Sequence, residues 1–313
     1  MATITGSPLW GRSVDWVVTQ YENRGWIHSG GDRVETPYGL GPEVHGFSMP
    51  EKSRSFVFIP SYGDILGEGC LTEETVRKCC WVLWQAGVKV VLIGGNSGVC
   101  DPLGEKGVRP GDVVFPWSFK TDAHHRGLPR TPFAAVWPAH DLMLEEPFSP
   151  NLSKFFRKIL EPRVGSDGFE RIFGPEEVRA ALIHYGGMTF ETDFDILQWQ
   201  VMTRQMSELE PDKPRIITLH GDAFNPILLR FLGIDVVYYH LVCNYVQGSA
   251  CQTAEGIHET IERYYMASYP ETVFAAEAEF FETVEMPEDG CSEAQSYLKR
   301  NPAVFAEACS GRR

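Results

Sequence analysis

Residues 88–98 read VKVVLIGGNSG, a mostly apolar run that passes straight into glycines. A stretch this rich in valine and isoleucine reads as a strand buried on both faces, which is what a parallel sheet with helices on both sides demands. The following GGNSG, with Gly95, Asn96 and Ser97 at its centre, reads as a loop of exposed backbone amides able to cradle an anion. Upstream, Thr72 is placed to cap a helix. Glu73 and Glu74 stand in its first turn against the positive dipole end, its apolar positions run from Val76 to Trp84, and Gly87 ends it. Helix, tight turn, buried strand and amide-rich loop together form an α/β unit.

The rest of the chain repeats this grammar. ATIT near the start and SFVFIP at 55–60 read as strands, and ETPYGLGPEVHGF between them is turn-rich. VVFPW at 113–117 reads as a further strand, leading into a polar loop over 121–140 that is too long for a plain connection. Helices are expected over 151–160, 192–207, 253–266 and 271–284, and strands over 180–185, 215–219 and 234–242. The alternation predicts one doubly wound α/β domain over 1–286, a mixed central sheet flanked by helices, with a polar tail over 287–313.

Composition narrows the function. At 313 residues, with 43% hydrophobic and 22% charged side chains, the chain can bury a full core. The 28 Lys and Arg against 42 Asp and Glu leave a net charge of -14, which repels a polyanion, so nucleic acid is not an expected partner. No apolar stretch is long enough to span a bilayer and the first residues lack a signal-peptide pattern, so a cytoplasmic protein without membrane contact is expected. The eight cysteines form no CxxC pair and no zinc-like spacing. No metal and no organic cofactor is expected, and buried reduced thiols are the simplest reading.

In order along the chain stand ETPYG (35–39), VVLIGGNSG (90–98), GVRPGD (107–112), HDLMLEEPFSP (140–150), GMTFET (187–192) and CNYV (243–246). This series resembles the purine nucleoside phosphorylase and methylthioadenosine phosphorylase family, the trimeric branch of the nucleoside phosphorylases, over roughly residues 3 to 284. The resemblance implies cleavage of the N-glycosidic bond of a purine nucleoside. Phe190 would stack on the base and Glu191 would accept hydrogen bonds from its ring edge, a task suited to an acceptor-only carboxylate. Asn244 would meet the base at N7 and O6, which favours a 6-oxopurine. His258, further along the chain, would face the ribose 5′-hydroxyl, with Tyr38 and His140 as further sugar-side candidates. The segment around His140 would close a neighbour's pocket in a homotrimer.

The departures fall at the phosphate and sugar end. The first turn, GSPL at 6–9, keeps the hydroxyl of Ser7 but brings in a proline without an amide donor. The second loop, SYGDILGEG, lacks the family's Arg and His and carries Asp64 and Glu68, which would repel a dianion. Anion contacts would fall to Ser7, Gly95, Asn96 and Ser97. At 219–225 LHGDAFN brings His220 and Asp222 to the sugar segment, where Asp222, or Asp64 of the second loop, could deprotonate a water. Inorganic phosphate as co-substrate therefore stands open against a phosphate-independent hydrolase, a tailoring enzyme on a modified nucleoside, and a non-catalytic nucleoside-binding homologue.

Overall fold

The structure, a computed structural model, describes residues 1–6, 11–63, 73–121, 147–165, 168–184, 193–221, 226–246, 259 and 261–286. Its centre is strand β1 (Ala2–Thr5), buried along its whole length and parallel to both neighbours, β4 (Arg54–Pro60) and β5 (Val90–Cys100). Beyond β4 lie β3 (Gly39–Met49) and β2 (Ile27–Thr36), both antiparallel. On the other side come β10 (Ile216–Gly221), β9 (Arg179–His184) and β7 (Ser118–Thr121), with β11 (Asp235–Tyr245) along the remaining edge of β5. The short strands β6 (Val113–Val114) and β8 (Ile172–Phe173) extend from β11. The expected α/β architecture with a mixed central sheet is observed.

Alternation along the strands sends side chains to separate cores, as a sheet covered on both faces requires. Ile4, Val91, Ile93 and Val236 pack with Cys79 and Leu83 of α2 (Glu73–Gln85) and Leu229 of α5 (Pro226–Phe231). Leu92, Val237 and Tyr239 pack with Val17 of α1 (Val14–Glu22), Phe156 of α3 (Pro150–Leu160) and Phe274 of α6 (Tyr269–Thr283). A third cluster joins Ile196 and Trp199 of α4 (Asp193–Leu209) to Cys100, Ile183 and Val246.

Three expectations need correction. The turn-rich segment before β4 is a long hairpin, β2–β3, whose tight connection is tied by Thr36 Oγ1 to Gly39 O at 2.6 Å and by Tyr38 N to Thr36 Oγ1 at 3.1 Å. The GGNSG segment is strand rather than loop: β5 runs through it because β11 pairs with it residue by residue. VVFPW yields only the short strand β6, since Pro116 cannot donate to a ladder. The tail over 287–313, and residues 253–258 of the expected penultimate helix, lie outside the described residues; the C-terminal part of that helix is a π-helical turn, Ile261–Tyr265.

One buried carboxylate ties the elements of the second core together. Glu277 of α6 accepts from Thr3 Oγ1 (3.1 Å), Tyr239 OH (2.7 Å) and Tyr21 OH (2.9 Å), linking β1, β11 and α1. Burial pushes its pKa up from 4.5 to about 7 against the pull of these donors. A raised folded-state pKa means stability fully present below pH 4.5 and lost as the pH rises through about 7. Glu277→Gln is expected to flatten the stability–pH curve across that window, by on the order of 3 kcal/mol. Urea unfolding at a series of pH values checks this; parallel curves for the two proteins would contradict it.

Candidate functional site

Strand β5 has two kinds of neighbour on one edge. Parallel β1 pairs with Ala2–Thr5 opposite Val91–Gly94, and antiparallel β10 pairs with His220 opposite Gly98 and Thr218 opposite Cys100. Since β11 occupies the other edge from Val90 to Val99, β1 and β10 must share this one. Their C-terminal ends point at each other across Gly95, Asn96 and Ser97, where neither pairs. Such a reversal at strand C-termini is where open α/β sheets hold ligands.

Asn244 and His220 meet at this place. Both sit directly opposite Gly98, one from each side, so all three share one face of the sheet. The glycine leaves room for its neighbours: the Asn244 amide and Val246 Cγ1 close over Gly98 on this face. A Cβ on Gly98 would lie 3.0 Å from Asn244 Nδ2. Trp199 packs near His220, ring centroids 5.3 Å apart. Asn244 Nδ2 donates to Tyr245 O at 2.8 Å. That bond fixes the amide plane and leaves a second N–H and Oδ1 for a ligand.

A β-bulge puts Asn244 there. The register slips between Val242 and Asn244, so that Asn244, and not Cys243, falls opposite Gly98. Val242 is clamped just before the slip: its N donates to Asp112 O and its O accepts from Gly111 N, both at 2.8 Å. The fully buried Asp112 carboxylate accepts from Arg171 Nε (2.9 Å), Arg171 Nη2 (2.7 Å) and Arg109 N (2.9 Å). GVRPGD thus builds the turn that holds the bulge.

The expected anion loop is built differently. Gly95, Asn96 and Ser97 lie in the β5–β11 ladder, and Asn96 O accepts from His240 Nδ1 at 2.9 Å. Ser97 is buried and its hydroxyl has no hydrogen-bond partner among the described residues. Cys243 is no nucleophile, because burial pushes its thiol up to about 12. Cys79, Cys80 and Cys100 are also buried and take part in no disulfide.

Two groups on the other face of β5, toward α2, carry no motif. His240 lies on the α2 side, opposite Gly95. Burial lowers its pKa to about 4, and with Nδ1 donating, its unpartnered Nε2 is a lone pair. Tyr62 follows β4 with φ +54, beside Ser61 at +49. Left-handed backbone at such residues costs about 1 to 3 kcal/mol each. A polar histidine stacked on Tyr238, inside an otherwise apolar strand, was the signal for the first. Nothing in the sequence marks the second.

Tyr38 stands at the tip of the β2–β3 hairpin with the Arg77 guanidinium carbon 5.3 Å from its ring centroid. That places it against α2, on the face opposite to Asn244 and His220. β9 ends at His184 beside Gly221 of β10, and α4 begins at Asp193. Phe190 and Glu191 themselves lie outside the described residues, as do Ser7, Asp64, Glu68, His140, Asp222 and His258. Among the described residues, no group of three His, Cys, Asp or Glu could hold a metal, and no helix is long and apolar enough to cross a membrane.

No protein-family model matches the chain. No curated protein matches it by sequence. Solved structures do match by shape. A methylthioadenosine phosphorylase from an Antarctic soil metagenomic library superposes with TM-score 0.63 at 14% identity, over 96% of this chain and 86% of that one. The methylthioadenosine phosphorylase of Schistosoma mansoni in complex with adenine gives 0.63 at 14% identity, over 100% and 98%. A point mutant of the adenosine/methylthioadenosine phosphorylase of Schistosoma mansoni in complex with methylthioadenosine gives 0.64, again at 14% identity over 100% and 98%. The described residues therefore have the nucleoside phosphorylase fold.

Proposed function

We propose that the chain is a nucleoside phosphorylase-like enzyme, a pentosyltransferase in class, that cleaves the N-glycosidic bond of a purine nucleoside and prefers a 6-oxopurine. The observation that carries this is the Asn244 amide, held by a bulge on the same face as His220 with both opposite Gly98, at the switch point of this fold. As the bond breaks, negative charge grows on the base and the sugar becomes oxocarbenium-like, so groups that meet that charge lower the barrier. Asn244 would donate to N7, with Glu191 accepting from the ring edge and Phe190 stacking. His220, His258 and His140 fall to the sugar side; Tyr38, on the opposite face of the sheet, is not part of it. The acceptor at C1′ is phosphate by the family's habit, or a water deprotonated by Asp222.

A panel of inosine, guanosine, adenosine and methylthioadenosine, with base release followed with and without phosphate, tests this reading. Release is expected, fastest from the 6-oxopurines. No release from any of them would leave only a nucleoside-binding protein. The assembly belongs to the same proposal. Phe194, Leu197 and Val201 of α4 are 74%, 58% and 48% exposed. Spaced about one turn apart, they form an apolar stripe that subunit contact would cover. A homotrimer is expected by sedimentation; a fully active monomer would end that part.

A further inference from the structure

The β2–β3 hairpin carries a cluster of titratable groups far from Asn244 and His220, with β4 and β1 between it and β5. His28 Nε2 and His45 Nδ1 lie 3.2 Å apart, and His45 Nε2 lies 2.8 Å from Glu43 Oε1. The two imidazole planes are within 24° of each other and their centroids are 5.4 Å apart. Rings that meet edge to edge, and not face to face, give a centroid spacing so much longer than the N···N distance. A bulge in β2 sets this up, since His28 pairs with Phe47 but Gly31 with His45, and bulges re-aim side chains. Gly31 makes the room, because a Cβ there would overlap the His45 ring. Phe47 packs on His28 and Phe58 on His45, at centroid distances of 5.0 and 5.9 Å.

The hydrogen bonds decide where the protons sit. A carboxylate only accepts, so Glu43 holds the proton of neutral His45 on Nε2 and leaves a lone pair on Nδ1, aimed at His28. The His28 Nε2–H fills that lone pair. In the other tautomer of His28 the proton moves to Nδ1, and two lone pairs then face one point. Two metal–imidazole bonds of about 2.0 to 2.1 Å at a tetrahedral angle span about 3.3 Å, close to the observed separation of 3.2 Å. A carboxylate on the far nitrogen of a ligating imidazole is also the usual outer partner of a metal site, where it orients the ring and raises its basicity. His45 is buried, whereas His28 is half-buried on the mostly exposed edge strand. The His28 ring can therefore tilt, and water can reach the pair from one side.

From this geometry we infer that His28 and His45 form a two-imidazole site for a late first-row divalent metal ion, with Glu43 as the outer carboxylate and water in the remaining positions. Two protein ligands are fewer than a closed structural cage uses, so the site is an open one. Nitrogen ligands of this kind rank Cu2+ above Ni2+ and Zn2+. The ion would tie the edge strand β2 to β3. It binds the folded hairpin and not the unfolded chain, so it also stabilises the protein. The inference does not depend on the proposed nucleoside cleavage.

The test titrates the full chain with Cu2+ against a chromophoric chelator and records the EPR spectrum of the complex. Wild type is expected to bind one Cu2+ with a Kd of about micromolar or tighter, with splitting from two imidazole nitrogens. His28→Ala should weaken that binding at least about tenfold and remove the splitting of one nitrogen. Glu43→Leu keeps both ligands but frees the His45 ring, and should weaken binding by about tenfold. The sequence holds a second histidine pair, His124 and His125, so the double variant His124→Ala/His125→Ala is the control and should bind as wild type does. Wild-type binding no tighter than about millimolar, a wild-type spectrum without two imidazole nitrogens, or a folded His28→Ala protein with unchanged affinity and spectrum would each overturn the inference. The wild-type spectrum reports the donors directly, so the inference can fail without any variant.

Discussion

Asn244→Leu is expected to lower kcat/KM for purine nucleoside cleavage by about a hundredfold or more, about 3 kcal/mol of transition-state stabilisation. Leucine nearly matches asparagine in volume but offers neither an N–H to the charge growing on the base nor an acceptor. The loss should fall on kcat more than on KM, since the hydrogen bond strengthens as the base departs. Steady-state kinetics on inosine checks this. The buried core should not respond, because Asn244 is only half-buried and its side-chain bond among the described residues goes to Tyr245 O. A variant with wild-type kcat would reduce Asn244 to a strand-end amide.

The second large effect is expected at a residue that touches no substrate. Asp112→Ala removes a fully buried carboxylate that takes hydrogen bonds from the Arg171 guanidinium and from Arg109 N. Loss of these charge-assisted bonds, with a cavity left behind, should cost about 2 to 4 kcal/mol. Asp112 also forms the turn that clamps Val242, so the β11 bulge loses its support and Asn244 its position. The folded variant should therefore lose kcat beyond what its stability explains. Asp112→Asn, which keeps the shape and part of the bonding, should recover some of both. Urea unfolding and single-turnover base release on wild type and both variants decide it. An Asp112→Ala protein that is destabilised yet turns over at the wild-type rate would make Asp112 purely structural.

Much of the architecture is legible in the chain because its central strands are buried on both faces. β1, β4, β9, β10 and β11 each announce themselves as apolar runs, and α2, α3 and α4 fall close to their expected bounds. The β2–β3 hairpin hides because it lies at the sheet edge with β2 mostly exposed, so HSGGDRVET carries charges and glycines where buried strands carry valine. GGNSG reads as loop because its residues favour turns one at a time, but partners supplied by β11 and β10 override that preference.

The site divides along the same line. Asn244 and His220 could be named from residue type and place in the order of motifs. That Gly98 lies between them depends on strand register, and the register depends on a bulge that no local pattern encodes. Tyr62 and His240, on the other face of β5, are placed by what they approach in space, Gly6, Gly94 and Gly95, each far away in sequence.

The most direct test of the account is the ratio of kcat/KM for inosine over adenosine, measured for wild type and for Asn244→Asp. A carboxylate accepts but does not donate, so it should turn away from O6 and toward a 6-amino group. The account predicts a ratio well above one for wild type and a fall of at least about tenfold in the variant. An unchanged ratio, or release of neither base by wild type, would contradict it.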